Sequence, residues 1–342
     1  MRSVEQSWRE RDGPLPLSWV AGNAGPPPYV NVGDALSPVM VSLVSGRAVR
    51  RVPFVGNTER MVAIGTVGQA VRRGSSAIWG TGCSPWANPL ESGPKRPYTP
   101  PADTRFTLHA TRGPFSARLL SGGAAQALPY GDPAMLLPRF YAPQRRPRYA
   151  LGVVLHLSEL ADRSFEARPN AGLARYQLNG ATGIRLITMV APPGSAAIRA
   201  KIDELLDCER IVSTSLHGIA LALAYGIPCL YLSAARGKPC LMSAELDPSG
   251  TGSIRGVNAR FPDLYAGLGQ SRMVWWRQAK DREMDWEALM AAVDAAAIGR
   301  PLVPESLAEV CPAGLSPLTA PPGGTVWDHP LIAGLDQCAA AA

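Results

Sequence analysis

The segment Arg210-Ile-Val-Ser-Thr-Ser-Leu-His-Gly-Ile-Ala-Leu-Ala-Leu-Ala-Tyr-Gly-Ile-Pro-Cys-Leu-Tyr-Leu-Ser233 constrains the fold more than any other. Ile211 and Val212 end a short apolar strand. Ser213, Thr214 and Ser215 place hydroxyls where a helix needs an N-cap. Ile219, Ala222, Leu223 and Ala224 then repeat at helical spacing. Gly226 stops that helix, Pro228 prevents its continuation, and residues 229–232 form a second apolar run short enough to be a strand. The segment is a βαβ unit, so the chain is expected to build an open parallel sheet. His217 falls at the carboxyl end of a strand and in the first turn of the next helix, where such sheets bind ligands. The unpaired N–H groups and positive dipole end of a helix favour an anion there. An imidazole and three hydroxyls at that place suit a phosphorylated or carboxylated ligand. A βαβ unit without a ligand, with His217 only capping its helix, has the same pattern.

The rest of the chain repeats the rhythm twice. At 342 residues it exceeds the usual single-core size, which favours two domains. Short apolar runs at residues 16–21, 52–55, 61–65, 77–79 and 106–110 read as strands of a first α/β unit. Residues 149–155, 184–189 and 273–276 read as strands of a second, with helices over residues 198–206, 262–267 and 286–297. Between the units, residues 138–148 are rich in proline and arginine and read as a linker. The domains are therefore placed at residues 16–140 and 149–298. The Pro/Gly/Ala-rich tail, 299–342, is expected to be partly packed and partly disordered, with disorder in its terminal alanines. Residues 1–15 read as a loose leader.

Several turns in these units carry chemistry. Asn31-Val-Gly-Asp34 lies between a strand and a helix, with Asp34 placed to cap that helix. Gly65-Thr-Val-Gly68 lacks the full dinucleotide fingerprint and its downstream acid. Ile78-Trp-Gly-Thr-Gly-Cys83 is a strand ending in a small-residue turn that contains Gly80. Residues 84–104 form a Pro-rich loop that could serve as a lid or acceptor flap. Arg112 stands at a strand's carboxyl end before Pro114, where a guanidinium can grip a carboxylate or phosphate, or make an ordinary salt bridge. Asp132 lies in the turn Tyr130-Gly-Asp-Pro-Ala134, and His156 ends a strand of the second unit.

Composition excludes some classes of function. Net charge is +7, but the basic residues are scattered and have no aromatic stacking platform, which argues against nucleic acid. The charge weakly favours anionic ligands or peripheral contact with a membrane surface. The six cysteines are far apart, with no C-x-x-C, and only four histidines occur, so no metal site is expected. Reduced cysteines suit the cytoplasm. The charged N-terminal segment has no apolar h-region, and the most apolar run, residues 219–232, is broken by Gly226 and Pro228.

The ordered blocks resemble the polysaccharide pyruvyl transferase family. They are Asn31-Val-Gly-Asp-Ala-Leu-Ser-Pro38, Ala63-Ile-Gly-Thr66 with Ile78-Trp-Gly-Thr-Gly82, Arg112-Gly-Pro-Phe-Ser-Ala-Arg-Leu-Leu120, Gly131-Asp-Pro-Ala134, Gly152-Val-Val-Leu-His156, and Val212-Ser-Thr-Ser-Leu-His-Gly218 with Tyr225-Gly-Ile-Pro228. Phe261-Pro-Asp-Leu-Tyr265 is a fainter echo. The likeness spans roughly residues 17–270. It implies two Rossmann-like domains facing across a cleft, similar to the GT-B glycosyltransferase fold. It also implies transfer of a pyruvyl group from phosphoenolpyruvate to sugar hydroxyls, usually as a cyclic ketal, with phosphoenolpyruvate as co-substrate and no further cofactor. Many family members carry Arg-Leu-His-Gly. Ser215 stands at that Arg position, so another cation or the helix N-terminus must serve the donor.

On this resemblance His217 is the expected acid/base or leaving-group stabiliser, and Arg112 reaches across the cleft toward the donor. Asp34 or Asp132 would deprotonate the acceptor. Ser213, Thr214, Ser215, Leu216, Gly218 and His156 are expected on the donor side. Asn31, Gly33, Gly80 and Asp132 are expected on the acceptor or cleft side. The acceptor would be a saccharide, free or lipid-linked, met in the cytoplasm or at the inner face of the membrane. Two other readings are a GT-B glycosyltransferase using a nucleotide sugar, and a non-catalytic carbohydrate-binding relative. No paired-glutamate pattern to hold a ribose is visible in the second half, which counts against the first.

Overall fold

The first half forms a parallel sheet. Its strands are β1 (Leu15–Ser18), β3 (Val49–Arg51), β4 (Arg60–Val62), β5 (Gly74–Trp79) and β6 (Thr104–Ala110), in the order β3-β1-β4-β5-β6. The computed structural model describes residue 8 and residues 13–124, 127–250 and 253–338. Most of the leader expected over residues 1–15, and the terminal alanines 339–342, lie outside the described residues. Trp8 is fully buried.

The second half forms a six-stranded sheet. Its strands are β7 (Leu151–Leu155), β8 (Ile184–Thr188), β10 (Ile211–Ser213), β11 (Cys229–Ser233), β12 (Cys240–Glu245) and β13 (Arg272–Arg277), in the order β12-β13-β11-β10-β7-β8. All its pairings are parallel except β12 with β13. Every residue of β7, β10 and β11 is buried, as expected for strands covered on both faces. β12 was not foreseen. It alternates half-buried and exposed residues at a sheet edge, so it lacks the continuous apolar run that marks its neighbours.

Helix α1 (Val32–Ser45) starts the first half's key turn. Asn31 is its N-cap, its side chain accepting from the Gly33 N–H at 3.2 Å, and Gly46 (φ 68°) closes it by donating to the Ser42 carbonyl. The expectation that Asp34 caps this helix is corrected. Asn31 takes that role, and Asp34 lies in the first turn with its carboxyl left for other contacts. The short strand β2 (Val30–Asn31) pairs antiparallel with β9 (Val190–Ala191), and the Val32 N–H donates to the Met189 carbonyl at 2.8 Å. The Asn31–Asp34 turn is thereby fastened to the second half.

Other helices are α2 (Pro114–Leu120), α3 (Ser195–Leu206), α4 (Leu216–Ala224), α5 (Arg260–Gly267) and α6 (Trp286–Ala296). The largest apolar cluster runs through both halves, from Leu17 and Leu36 to Ile211 and Ile219. The tail joins it. Leu307, Trp327 and Ile332 are buried, the Trp79 indole donates to the Leu307 carbonyl, and the Ser316 and Leu318 N–H groups donate to the Val44 and Leu43 carbonyls. The arginines of the 138–148 segment fold onto the second half, Arg145 donating to the carbonyls of Leu206 and Cys208 and Arg148 pairing with Asp207.

Candidate functional site

α4 follows β10 directly and carries His217 in its first turn, buried. The first turn of α1 meets it. A Cβ on Gly33 would lie 1.9 Å from His217 Nδ1, so only glycine admits the ring there. On its other side, His217 Nε2 is 3.7 Å from Asp132 Oδ2. Neither of these two buried atoms has a hydrogen-bond partner among the described residues. The other carboxyl oxygen of Asp132 is spent. Oδ1 accepts from the Ala134 N–H at 3.0 Å and caps the 3-10 turn Pro133–Arg139. Gly80 (φ 82°) lets that turn approach, since a Cβ there would lie 2.3 Å from Pro133 Cδ.

The electrostatics separate the titratable groups. Burial pushes the Asp34 carboxyl up; Arg260 opposes this and Asp132 adds to it, leaving the group at about 7. Burial pushes His217 below the ordinary imidazole value; Asp132 opposes that, while Arg112 and Arg260 reinforce it. His217 is thus neutral at neutral pH, whereas Asp34 is divided between acid and carboxylate. His156 is also held low, by burial first and then by Arg260. Such separation of an acid from a base by environment is how one site can carry out both halves of a proton transfer at neutral pH.

An open cleft of about 460 Å³ adjoins this group, lined from the first half by Thr66, Trp86 and Lys95 and from the second by His156, Asn258 and Arg260. Arg260 is common to both places, because it lines the cleft and its charge acts on Asp34, His156 and His217.

The structure brings His217, Asp34, Gly33, Asn31, Asp132 and Gly80 together, and sets His156 on the cleft wall. The remaining expected residues have structural partners. Arg112 does cross between the halves, but its guanidinium is fully buried in an ion pair with Asp263 at 3.1 Å, and Nη1 donates to Thr66 Oγ1. Ser213 is fully buried, and its hydroxyl bonds the Ser215 carbonyl and N–H. Gly218 makes room for it, since a Cβ there would lie 2.5 Å from Ser213 Oγ. Thr214 accepts from the His156 N–H at 2.8 Å and donates to Glu159, which tethers the His156 turn to the end of β10. Leu216 packs in the core. Ser215 is the N-cap of α4, and its hydroxyl makes no hydrogen bond among the described residues.

Three contributors escaped the sequence reading. Asp263 holds Arg112. Glu159, paired with Arg175 and bonded by Tyr176 and Thr214, braces His156. Arg260 supplies cleft charge. The only signal for Arg260 and Asp263 was the faint block at residues 261–265, which overlaps one and adjoins the other.

Residues 76–235 match the family model for polysaccharide pyruvyl transferase. Over that stretch, somewhat less than half of its length, the chain is similar to the polysaccharide pyruvyl transferase family. The match contains Gly80, Arg112, Asp132, His156 and residues 213–218, while Asn31, Gly33, Asp34 and Arg260 lie outside it. No curated protein and no solved structure matches the chain. A pyruvyl transferase of this family is a transferase of polysaccharide synthesis, which implies a saccharide acceptor. Among the described residues no helix is long and apolar enough to cross a membrane.

Proposed function

We propose that the protein transfers pyruvyl from phosphoenolpyruvate to sugar hydroxyls of a polysaccharide or its lipid-linked precursor, forming a cyclic ketal. The two sheet units act as a GT-B-like pair, with the acceptor held by residues 16–140 and the donor by residues 149–298. The observation that carries this reading is the buried, unpartnered contact of His217 with Asp132, beside an Asp34 whose carboxyl titrates near neutrality. Ketal formation needs an acid and a base in the same place. Protonated Asp34 gives its proton to the enol methylene carbon of phosphoenolpyruvate, leaving an oxocarbenium-like centre at the neighbouring carbon. Neutral His217, its cation stabilised by Asp132, takes the proton of the first sugar hydroxyl as its oxygen bonds to that centre. The carbon–oxygen bond to phosphate then breaks, and phosphate leaves with the proton that His217 holds. A second sugar hydroxyl closes the ring, and its proton restores Asp34. One hydroxyl proton thus ends on the new methyl group and the other on phosphate. The net charge of +7 suits an acceptor at an anionic membrane surface on the cytoplasmic side.

The test measures phosphate release from phosphoenolpyruvate with galactose, mannose, glucose and N-acetylmannosamine acceptors, for the wild type and His217→Ala. Acceptor-dependent release should fall by about 10²- to 10⁴-fold in the variant, the usual contribution of general acid–base catalysis. Near-normal turnover by His217→Ala, or turnover of a nucleotide sugar instead of phosphoenolpyruvate, would overturn the reading.

A further inference from the structure

Buried arginines in this protein are compensated. Arg112 is paired with Asp263, and Arg175 with Glu159. Arg60 donates to the carbonyls of Pro53, Gly56, Thr58 and Arg73. Arg260 is different. It lines the 460 Å³ cleft as the first residue of α5, and no carboxylate lies within ion-pair distance of it among the described residues. Among the described residues its guanidinium makes one hydrogen bond, from Nε to Asn258 Oδ1 at 3.1 Å. A guanidinium has five donors, so most of this fork is unspent. Burial and the neighbouring Arg112 both oppose its charge, and Asp34 favours it. Unlike Arg112, Arg175 and Arg60, Arg260 is only half-buried, so its unspent donors face the cleft, where a ligand can supply the opposite charge.

We infer that Arg260 binds the phosphate of the donor and takes the place of the arginine that Ser215 lacks. The identity of the donor rests on the function proposed above; the assignment of an anionic phosphate to Arg260 does not. Two arginines in one region repel each other, and Asp263 offsets only the buried one. A dianion relieves that repulsion better than a carboxylate does, and the planar fork of Arg260 matches phosphate oxygens two at a time. The cleft brings the same ligand to His156, on the same side as Arg260, and toward His217, where the leaving phosphate must be protonated. Arg260 lies 43 residues beyond Leu216–His217 in sequence, which is why a motif centred on that helix could not locate it. The diphosphate of a nucleotide sugar shares this chemistry and must be separated from phosphoenolpyruvate by experiment.

Calorimetric titrations of the full chain with inorganic phosphate, phosphoenolpyruvate and UDP-glucose decide the matter, using the wild type, Arg260→Gln and Arg260→Lys. The wild type should bind phosphate in competition with phosphoenolpyruvate. Arg260→Gln should weaken both by about 10- to 100-fold, the loss expected for a charge-assisted contact. Arg260→Lys should recover part of that loss. The unliganded Arg260→Gln protein should melt no lower than the wild type, because the substitution removes an uncompensated charge. Unchanged phosphate binding by Arg260→Gln, or no phosphate binding by the wild type, would overturn the inference. So would a large fall in Tm without ligand, since that marks a structural arginine. Loss of phosphate binding in Arg260→Gln by a protein that never binds phosphoenolpyruvate would keep the anion site and sink the proposed donor.

Discussion

Asp34 has an environment that its sequence context does not announce. As an exposed first-turn acid it would be ionised and would favour the helix dipole. Here burial, with Asp132 close by, lifts it from 3.8 to about 7. The folded state therefore holds this proton more tightly than the unfolded chain. Its contribution to stability is complete below the unfolded value of about 4 and is lost as pH rises through about 7. Asp34→Asn keeps the neutral form at every pH. Thermal melts across pH 4 to 8 should show a flatter decline for this variant than for the wild type. Its kcat should nevertheless fall by about 10²-fold or more, since on the proposed mechanism the proton donor is gone. A variant as active as the wild type would remove Asp34 from the chemistry. Gly33 belongs to the same scale. Its missing side chain is the space the His217 ring occupies, a requirement that appears in the sequence only as one more glycine in a turn.

At the scale of elements, the Pro-rich segment after β5 is a braced hairpin. The Ser84 N–H donates to Gln69 Oε1, the Ala87 N–H to the Arg96 carbonyl, and the Tyr98 N–H to the Pro85 carbonyl. Trp86 pairs with Pro97 across it and presents a part-exposed indole to the cleft. A pyranose ring presents a face of C–H groups that suits such an aromatic surface. Trp86→Ala should raise the KM for the saccharide about three- to tenfold, the worth of one aromatic contact, with the KM for phosphoenolpyruvate unchanged. Equal effects on both would make the hairpin a lid over the whole cleft. The βαβ unit of residues 211–233 was legible because continuous apolar runs, a hydroxyl-rich cap and a Gly/Pro stop are all local. β12 was not, because an edge strand alternates and its pairing with β13 spans a long loop.

For the molecule as a whole, the connection between the halves is partly electrostatic. Arg112 of the first half and Asp263 of α5 are both fully buried, and the Asp263 carboxyl also accepts from the Ser116 hydroxyl and N–H. Asp263→Ala leaves a buried guanidinium without its counter-ion and should destabilise the protein by about 3–5 kcal/mol in chemical denaturation. A change below about 1 kcal/mol would show that water or a neighbouring group replaces Asp263 with little cost. The tail and the β2–β9 pairing reinforce this junction, so the main apolar cluster passes from one half to the other.

The sequence by itself determined the α/β class, the parallel order around residues 211–233 and the place of His217 at a strand-to-helix turn. These depend on short-range periodicity, capping and chain breaks. Tertiary structure alone decided which charges are spent and which are open. Arg112 has the sequence context of a ligand-binding cation, but its ion-pair partner is Asp263, 151 residues away in the chain, while Arg260 has no such context and is marked only by its place in the cleft without a paired carboxylate. The reason is physical. Burial, Coulombic compensation and close approach depend on distance in space, and residues far apart in the chain carry no local mark of meeting.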